Sequence, residues 1–335
     1  MAAQVKEILI DSAGVRVPSN ALIIRHTEIG VFRNCPRYWY IGSHNGLNLE
    51  PRVKDIKLRF GTAWHKAMEL KYAQDLPAFE GFKESYDEQV KSMEEELGQG
   101  IYDEVYQTEL TDMLKLGEAL CPAYDEWATE EANPSDKELT ILGVEKRLLV
   151  RIPGTYTWIA AKLDAIVEYM GALWTMEHKS QSRSSKVDNP TNTARDIQMG
   201  LQLLALRASG LYDLPIGGAI YNLARKQAPS SRVKNPIFGR HIVQYTEDHL
   251  ANLAYDLKEV HVPDIRAAIN RPTKTRRRYN PGIGANSFCD WGCHAKEVCE
   301  AINRNENASY LFNQKFKFRD RSFRETLFEE MEDSE

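Results

Sequence analysis

Residues 156–179 read YTWIAAKLDAIVEYMGALWTMEHK, two runs rich in β-branched and aromatic residues with Met170-Gly171 between them. That composition predicts two strands, 156–169 and 172–179, joined by a tight turn. Centring the turn between Met170 and Gly171 pairs Tyr169 with Ala172, and counting back from there pairs Asp164 with Glu177. Directly opposed residues of an antiparallel pair hold their Cβ atoms about 5 Å apart, and like charges facing each other there are destabilising. A divalent cation between the carboxylates removes that objection, because Mg²⁺ and Mn²⁺ prefer hard oxygen ligands. Side chains alternate faces along a strand, so Lys179 points the same way as Glu177. Two carboxylates and an ammonium on one spot suggest a metal-dependent phosphodiester site. The plainer alternative is a solvated surface pair, since acid-x-Lys is common on strands.

At 335 residues the chain is long enough for one large domain with insertions, or for two domains. Hydrophobic residues at 42% and charged residues at 27% are ordinary for a soluble globular protein. No stretch approaches the roughly 18 apolar residues of a membrane span. Residues 1–7 lack the apolar core of a signal peptide, so a reducing cytoplasm is the expected setting. The net charge of −5 does not by itself mark a nucleic-acid binder, but its distribution is uneven. Glu329, Glu330, Glu332, Asp333 and Glu335 crowd the last seven residues, and without them 43 basic residues face 43 acidic ones. Within that neutral body Arg271, Lys274, Arg276, Arg277 and Arg278 form a basic run beside Tyr279. Such a run can track phosphates or can be a solvated loop.

Five segments follow from the patterning. Residues 1–54 carry a short helix within 22–42 and then the aromatic string Cys35-Pro36-Arg37-Tyr38-Trp39-Tyr40. Residues 55–136 read as helical, with Phe60, Ala63, Trp64, Ala67 and Leu70 as the stripe of the first helix and Leu110, Met113, Leu120, Tyr124 and Trp127 as that of the last. Residues 137–270 hold strands over 139–179, a polar loop over 180–193, a helix over 194–209, strands at 216–223 and 241–245, and a helix over 247–270. Gln198 and Gln202, four apart, share one face of the 194–209 helix. Residues 271–310 carry the basic run and a cysteine cluster, and 311–335 read as an acidic, disordered tail. No internal repeat is present. The predicted architecture is α/β, a small mixed sheet flanked by helices and entered through a helical insertion.

Four of the five cysteines form a pattern. Cys289, Cys293 and Cys299 cluster near the C-terminus, and Cys35 lies about 250 residues upstream. Cytosolic cysteines so spaced point to metal ligation more than to disulfides, and four thiolates can hold zinc or a [4Fe–4S] cluster. The paired C-x2-C knuckles usual for structural zinc are missing, and His294 is a further zinc-ligand candidate. Cys121 falls on an apolar helix face and is assigned to the core.

Together these residues resemble the RecB-like branch of the PD-(D/E)XK nuclease superfamily in its iron–sulfur form, which includes AddB-type, CRISPR-associated and phage exonucleases. The resemblance runs in order through Cys35-Pro36-Arg37-Tyr38-Trp39-Tyr40, Gly61-Thr62-Ala63-Trp64-His65, Asp164, Glu177-His178-Lys179, Gln198 and the closing Cys289, Cys293 and Cys299. It departs in three places: the first gap among the C-terminal cysteines is three residues where two is more usual, Ala161 stands where a Gly is common, and Gln202 stands where a Tyr is usual. The resemblance implies that Asp164, Glu177, His65 and the backbone carbonyl of His178 hold Mg²⁺ or Mn²⁺. It implies that Lys179 orients or activates the attacking water and that Gln198 positions Lys179 or the phosphate. It also implies that Cys35, Cys289, Cys293 and Cys299 hold a [4Fe–4S] staple, with Zn²⁺ as the alternative. The expected substrate is DNA, single-stranded or with free ends, in a bacterial or phage-infected cell. No Gly-x4-Gly-Lys-Ser/Thr loop is present, so a helicase or recombination partner would be a separate protein. The rival expectations are a DNA-binding scaffold with a relic site and an iron–sulfur redox sensor.

Overall fold

The structure, a computed structural model, describes residues 10–52, 56–97, 104–181, 196–230, 236–270, 289, 293–319, 326–327 and 331. In chain order the elements are β1 (Leu22–Arg25), α1 (His26–Asn34), α2 (Pro36–Gly42), β2 (Leu49–Pro51), α3 (Ile56–Gln74), α4 (Ala78–Leu97), α5 (Glu104–Glu130), β3 (Thr140–Arg151), β4 (Thr157–Tyr169) and β5 (Ala172–Gln181). They continue with α6 (Ile197–Ser209), β6 (Ile216–Arg225), β7 (Phe238–Gln244), α7 (Glu247–Asp256), α8 (Val262–Asn270), α9 (Lys296–Asn303), α10 (Ser309–Lys315) and β8 (Phe316–Phe318).

The β4–β5 hairpin organises the sheet. Met170 and Gly171 sit at φ 52° and 72°, the doubly positive pair that a two-residue hairpin turn requires. Tyr169 therefore pairs with Ala172, and the ladder runs back to Ala165 with Met176. At the next step, Asp164 and Glu177, the strands part. β5 continues beside β6 in parallel as far as Gln181 with Arg225. β4 instead takes β1, in parallel, over Thr157–Ala160. β3 covers the other edge of β4 along nearly its whole length, so β1 and β5 share one edge with a fork between them at 161–164. β7 closes the far side, antiparallel to β6.

Helices cover both faces. Ile159, Ala161, Leu163 and Ile166 of β4 pack with Ile29 and Phe32 of α1 and Leu201 and Leu206 of α6. Ala165 and Val167 pack with Trp174, Met176 and Ile220, beside Tyr72 of α3. Leu163 and Ala165, two apart, thus join different cores, so the period-2 alternation is interrupted at Asp164, although the β3–β4 register is continuous there and shifts only between Ile141 and Gly143. The α3 stripe is buried as its periodicity predicts, with Phe60, Trp64, Phe82 and Tyr124 packed against Ala224 and Phe238 of the sheet. Each large side chain buried in this way contributes about 1.5–3 kcal/mol. A Cβ on Gly81 would lie 2.5 Å from the Lys66 carbonyl oxygen, so only glycine lets α4 cross α3 this closely.

The chain's two ends meet. β2 pairs antiparallel with β8, Ile41 and Leu49 share a core with Val298, Ala301 and Phe316, and Arg37 Nη1 donates to Asn303 Oδ1 at 2.8 Å.

Two expectations change. Residues 22–25 form a strand rather than the start of a helix, because the Leu-Ile-Ile run fills the vacant edge of β4 and the helix begins at His26. The stretch from 311 is ordered where described: Phe316 pairs and packs, and Leu327 is buried against Trp158 and Ala160. These apolar side chains precede the acids and have a core to enter. The acids at 329, 330, 332, 333 and 335, the basic run Arg271, Lys274, Arg276, Arg277 and Arg278, and residues 182–195 lie outside the described residues. Among the described residues no helix is long and apolar enough to cross a membrane.

Candidate active site

Where β4 and β5 part, backbone groups lose their ladder partners and side chains replace them. The N–H of His178 donates to Asp164 Oδ2 at 2.9 Å. Gln202 Nε2, reaching in from α6, donates to the Lys162 carbonyl oxygen at 3.1 Å and to Glu177 Oε2 at 3.1 Å. An unmet buried backbone group costs about 1–3 kcal/mol, so these contacts are what make the fork tolerable.

Asp164 faces α3 and β3. His65 Nδ1 lies 3.3 Å from Asp164 Oδ2, and His65, Glu145 and Asp164 each offer one ligand atom within 4.8 Å of the others. Glu145 sits between the cross-strand pairs Val144–Ala165 and Lys146–Leu163. Its φ of 53° is a left-handed conformation uncommon outside glycine and enriched at functional sites. Its carboxylate also pairs with Lys162.

Glu177 faces α6. Gln198 Nε2 donates to Glu177 Oε1 at 2.8 Å, and Lys179 Nζ bonds that same oxygen and reaches Gln198 Oε1 at 3.4 Å. The Asp196 carboxylate caps α6 by accepting from the Gln198 N–H at 2.9 Å. One helical turn thus delivers Gln198 and Gln202 to the two oxygens of one buried carboxylate.

The environment separates the two acids electrostatically. Burial opposes ionisation of Asp164, but the hydrogen bond and charge of His65 outweigh it and hold its pKa below the ordinary value. Burial, followed by the Asp164 charge, raises that of Glu177, with Lys179 pulling the other way. Lys179 is raised: burial disfavours its charge, and Glu177 more than restores it. His65 is raised too, with Asp164 overcoming burial. Carboxyls driven apart in this manner mark acid–base or metal chemistry.

His178 belongs to the scaffold through its ring. It stacks on Tyr72 with centroids 5.2 Å apart, and its Nδ1 lies 3.2 Å from Asn222 Nδ2. Asn222 Oδ1 accepts from Arg240 Nε at 2.8 Å, and Arg240 Nη2 donates to Asp136 Oδ1 at 2.9 Å. Burial drops the His178 pKa to about 3, so the ring is neutral.

The donor set at the fork fits a divalent cation: two carboxylates and an imidazole converge, and Glu177 is a buried acid whose charge a cation would relieve. Glu177 stands apart from the His65–Glu145–Asp164 group, its oxygens engaged by Lys179, Gln198 and Gln202. Glu145, Gln202 and His26 are additions to the predicted set. His26 Nε2 lies 3.5 Å from Gln202 Nε2. Glu145 has a sequence signal: a turn centred between Gly154 and Thr155 pairs 145 with 164.

The cysteines also come together. Cys35, Cys289, Cys293 and Cys299 are free thiols. Burial pushes the Cys293 thiol up to about 12, and the charges of Cys299, Cys289 and Cys35 add to it. Arg37 Nη1 donates to Cys299 Sγ at 3.3 Å. The four thiols thus lie within electrostatic reach of one another, while the group whose ligand atoms converge within 4.8 Å among the described residues is His65, Glu145 and Asp164. Cys121 is buried in the α3–α5 core, as expected.

The family description PD-(D/E)XK nuclease superfamily matches residues 26–300, a span that includes His65, Asp164, Glu177, Lys179 and all four cysteines of the quartet. No curated protein matches the chain. Among solved structures, a candidate exonuclease from Eubacterium rectale is similar at 12% identity and TM-score 0.45, over 78% of this chain and 91% of that one. A protein called SSO0001 is similar at 13% identity and TM-score 0.28, over 74% of this chain and 96% of that one. The mixed sheet between helical layers, the acid-x-Lys strand at its fork and the family match agree: the chain belongs to the PD-(D/E)XK nuclease superfamily and is a phosphodiester hydrolase of that general class.

Proposed function

We propose that the protein is a metal-dependent DNase of the RecB-like, iron–sulfur type, an exonuclease on single-stranded or end-containing DNA. What supports this is the fork beyond the last β4–β5 pair, with Asp164 grouped with His65 and Glu145 on one side and Glu177 bonded by Lys179 and Gln198 on the other. His65, Glu145, Asp164 and Glu177 would hold Mg²⁺ or Mn²⁺, which when bound lowers the pKa of water and polarises a phosphoryl oxygen. Lys179 orients the attacking water and steadies the negative charge that builds on the phosphate. Gln198 sets the Lys179 ammonium by bonding both it and Glu177. Gln202 holds Glu177 ionised and in place. Cys35, Cys289, Cys293 and Cys299 hold a [4Fe–4S] cluster that staples the chain's ends together, which supports the order seen where β2 meets β8. An unwinding or recombination partner is a separate protein.

The test is digestion of end-labelled single- and double-stranded DNA with Mg²⁺ or Mn²⁺. Stepwise shortening from an end, dependent on the metal, is the expected result. Internal cuts on circular DNA would reassign the protein as an endonuclease, and no cleavage with either metal would overturn the assignment.

A further inference from the structure

A cation-lined cavity adjoins the fork. Arg25, His26, Arg147, Lys162 and Arg319, with Ala160 and Ala161, line about 300 Å³. No carboxylate is among the described residues that line it; from outside the lining Glu145 meets Lys162, Glu50 approaches Arg319 at 3.9 Å, and the Glu28 charge acts on both Arg25 and Arg319. Arg147 and Lys162 are cross-strand partners on β3 and β4, a like-charge pair of the kind a sheet avoids unless an ion of opposite sign joins it. Arg25 and Arg319 crowd each other as well: burial, and then the Arg25 charge, pulls the Arg319 pKa below its ordinary value. The strand β1, the start of α1, the β3–β4 pair and the segment after β8 therefore converge to line one cavity with cationic side chains, a lining whose guanidinium and ammonium donors suit a phosphoryl group.

The cavity's position identifies the anion. Lys162 precedes Asp164 by two residues on β4, about 7 Å at ~3.3 Å per residue, a span comparable to one step between neighbouring phosphates of a single strand. His26 lines the cavity and touches the Gln202 amide that also holds Glu177. We propose that this cavity binds a second phosphoryl group of the nucleic-acid strand whose scissile phosphate lies at the fork. This rests on the nuclease assignment of the fork. The group is either a terminal phosphate or the next internal diester. Both present the anionic oxygens that guanidinium groups grip, and holding either one sets which bond reaches Lys179.

The test measures binding of a short fluorescent single-stranded oligonucleotide to the full chain by anisotropy, without divalent metal, across a salt series. Arg147→Gln should weaken binding about tenfold or more and reduce the slope of log K against log salt by about 0.7, the value for one phosphate contact on a single strand. Arg147→Lys should keep the slope, and Arg319→Gln should repeat the loss from the opposite wall, so a folding defect in one variant leaves the other to decide. Oligonucleotides ending in 5′-phosphate, 3′-phosphate or hydroxyl, and one carrying a neutral methylphosphonate near its end, separate the two sources. A loss seen only with phosphorylated ends assigns a terminal phosphate, and a loss abolished by the methylphosphonate assigns an internal one. Folded Arg147→Gln and Arg319→Gln proteins that bind every oligonucleotide with the wild-type slope would overturn the proposal. Cleavage of end-labelled DNA is followed in parallel: cleavage with unchanged slopes sinks the cavity alone, whereas changed slopes without cleavage sink the nuclease assignment of the fork.

Discussion

Replacing Gln202 with Leu removes the fork's main support at almost constant side-chain volume, so no cavity complicates the outcome. Gln202 is buried, and its Nε2 donates to Glu177 Oε2 and to the Lys162 carbonyl oxygen, each at 3.1 Å. A hydrogen bond to a charged group contributes about 1.5–3 kcal/mol, and a buried carbonyl left unmet costs about 1–3 kcal/mol. The two losses share one side chain and do not simply add, so Gln202→Leu should destabilise the protein by about 3 kcal/mol. With a urea m-value of about 3 kcal/mol/M, the unfolding midpoint falls by about 1 M. The same substitution withdraws one of the groups that hold the Glu177 pKa down. Its ionisation then moves to higher pH, and the acid limb of the cleavage profile should move with it. A midpoint within about 0.2 M of wild type, together with an unmoved acid limb, would refute this account of the fork.

Other perturbations have equally definite outcomes. His26 is held to a pKa of about 4 by burial, against an ordinary 6.5. Between those values the unfolded chain binds a proton that the native His26 does not, so stability is full above pH 6.5 and falls on acidification, by about 3 kcal/mol at pH 4. His26→Gln should flatten that part of a stability–pH profile, and an unchanged profile would contradict it. Arg240→Met leaves Asp136, Asn222 and the Pro134 carbonyl short of a buried partner and should cost about 3–5 kcal/mol in denaturant unfolding; less than about 1 kcal/mol would show that the network does not support the sheet. Protein purified without oxygen should be brown and contain iron, and Cys299→Ser should bleach it and lower the melting temperature. A colourless protein containing zinc would assign the quartet to Zn²⁺ instead.

The parts of the fold legible in the sequence are those governed by local chemistry. Met170-Gly171 pins the turn, and the turn pins the register from Tyr169 with Ala172 back to Ala165 with Met176, one step short of Asp164 and Glu177, before any tertiary contact is known. The 3.6-residue stripe of α3 likewise places His65 on the helix's open side. Features that depend on partners distant in sequence were less visible. Leu22–Arg25 is too short to show a period, and it becomes a strand only because β4 has an empty edge. Glu145 joins the site through a second register and a left-handed backbone conformation that no pattern of apolar residues encodes. Gln202 looked like a departure from the family's usual Tyr, yet the fork's orphaned Lys162 carbonyl and the buried Glu177 oxygen explain its amide. The division of the site between α3 and α6 follows from the break in alternation at Asp164, which a strict period of two would miss.

Cleavage of end-labelled DNA by wild type and by Glu177→Ala, side by side with Mn²⁺ and at matched thermal stability, tests the fork most directly. Metal-dependent shortening by the wild type, reduced at least about 100-fold in the variant, is the predicted result. A Glu177→Ala protein that cleaves as fast as wild type would contradict the assignment of the fork as the catalytic centre.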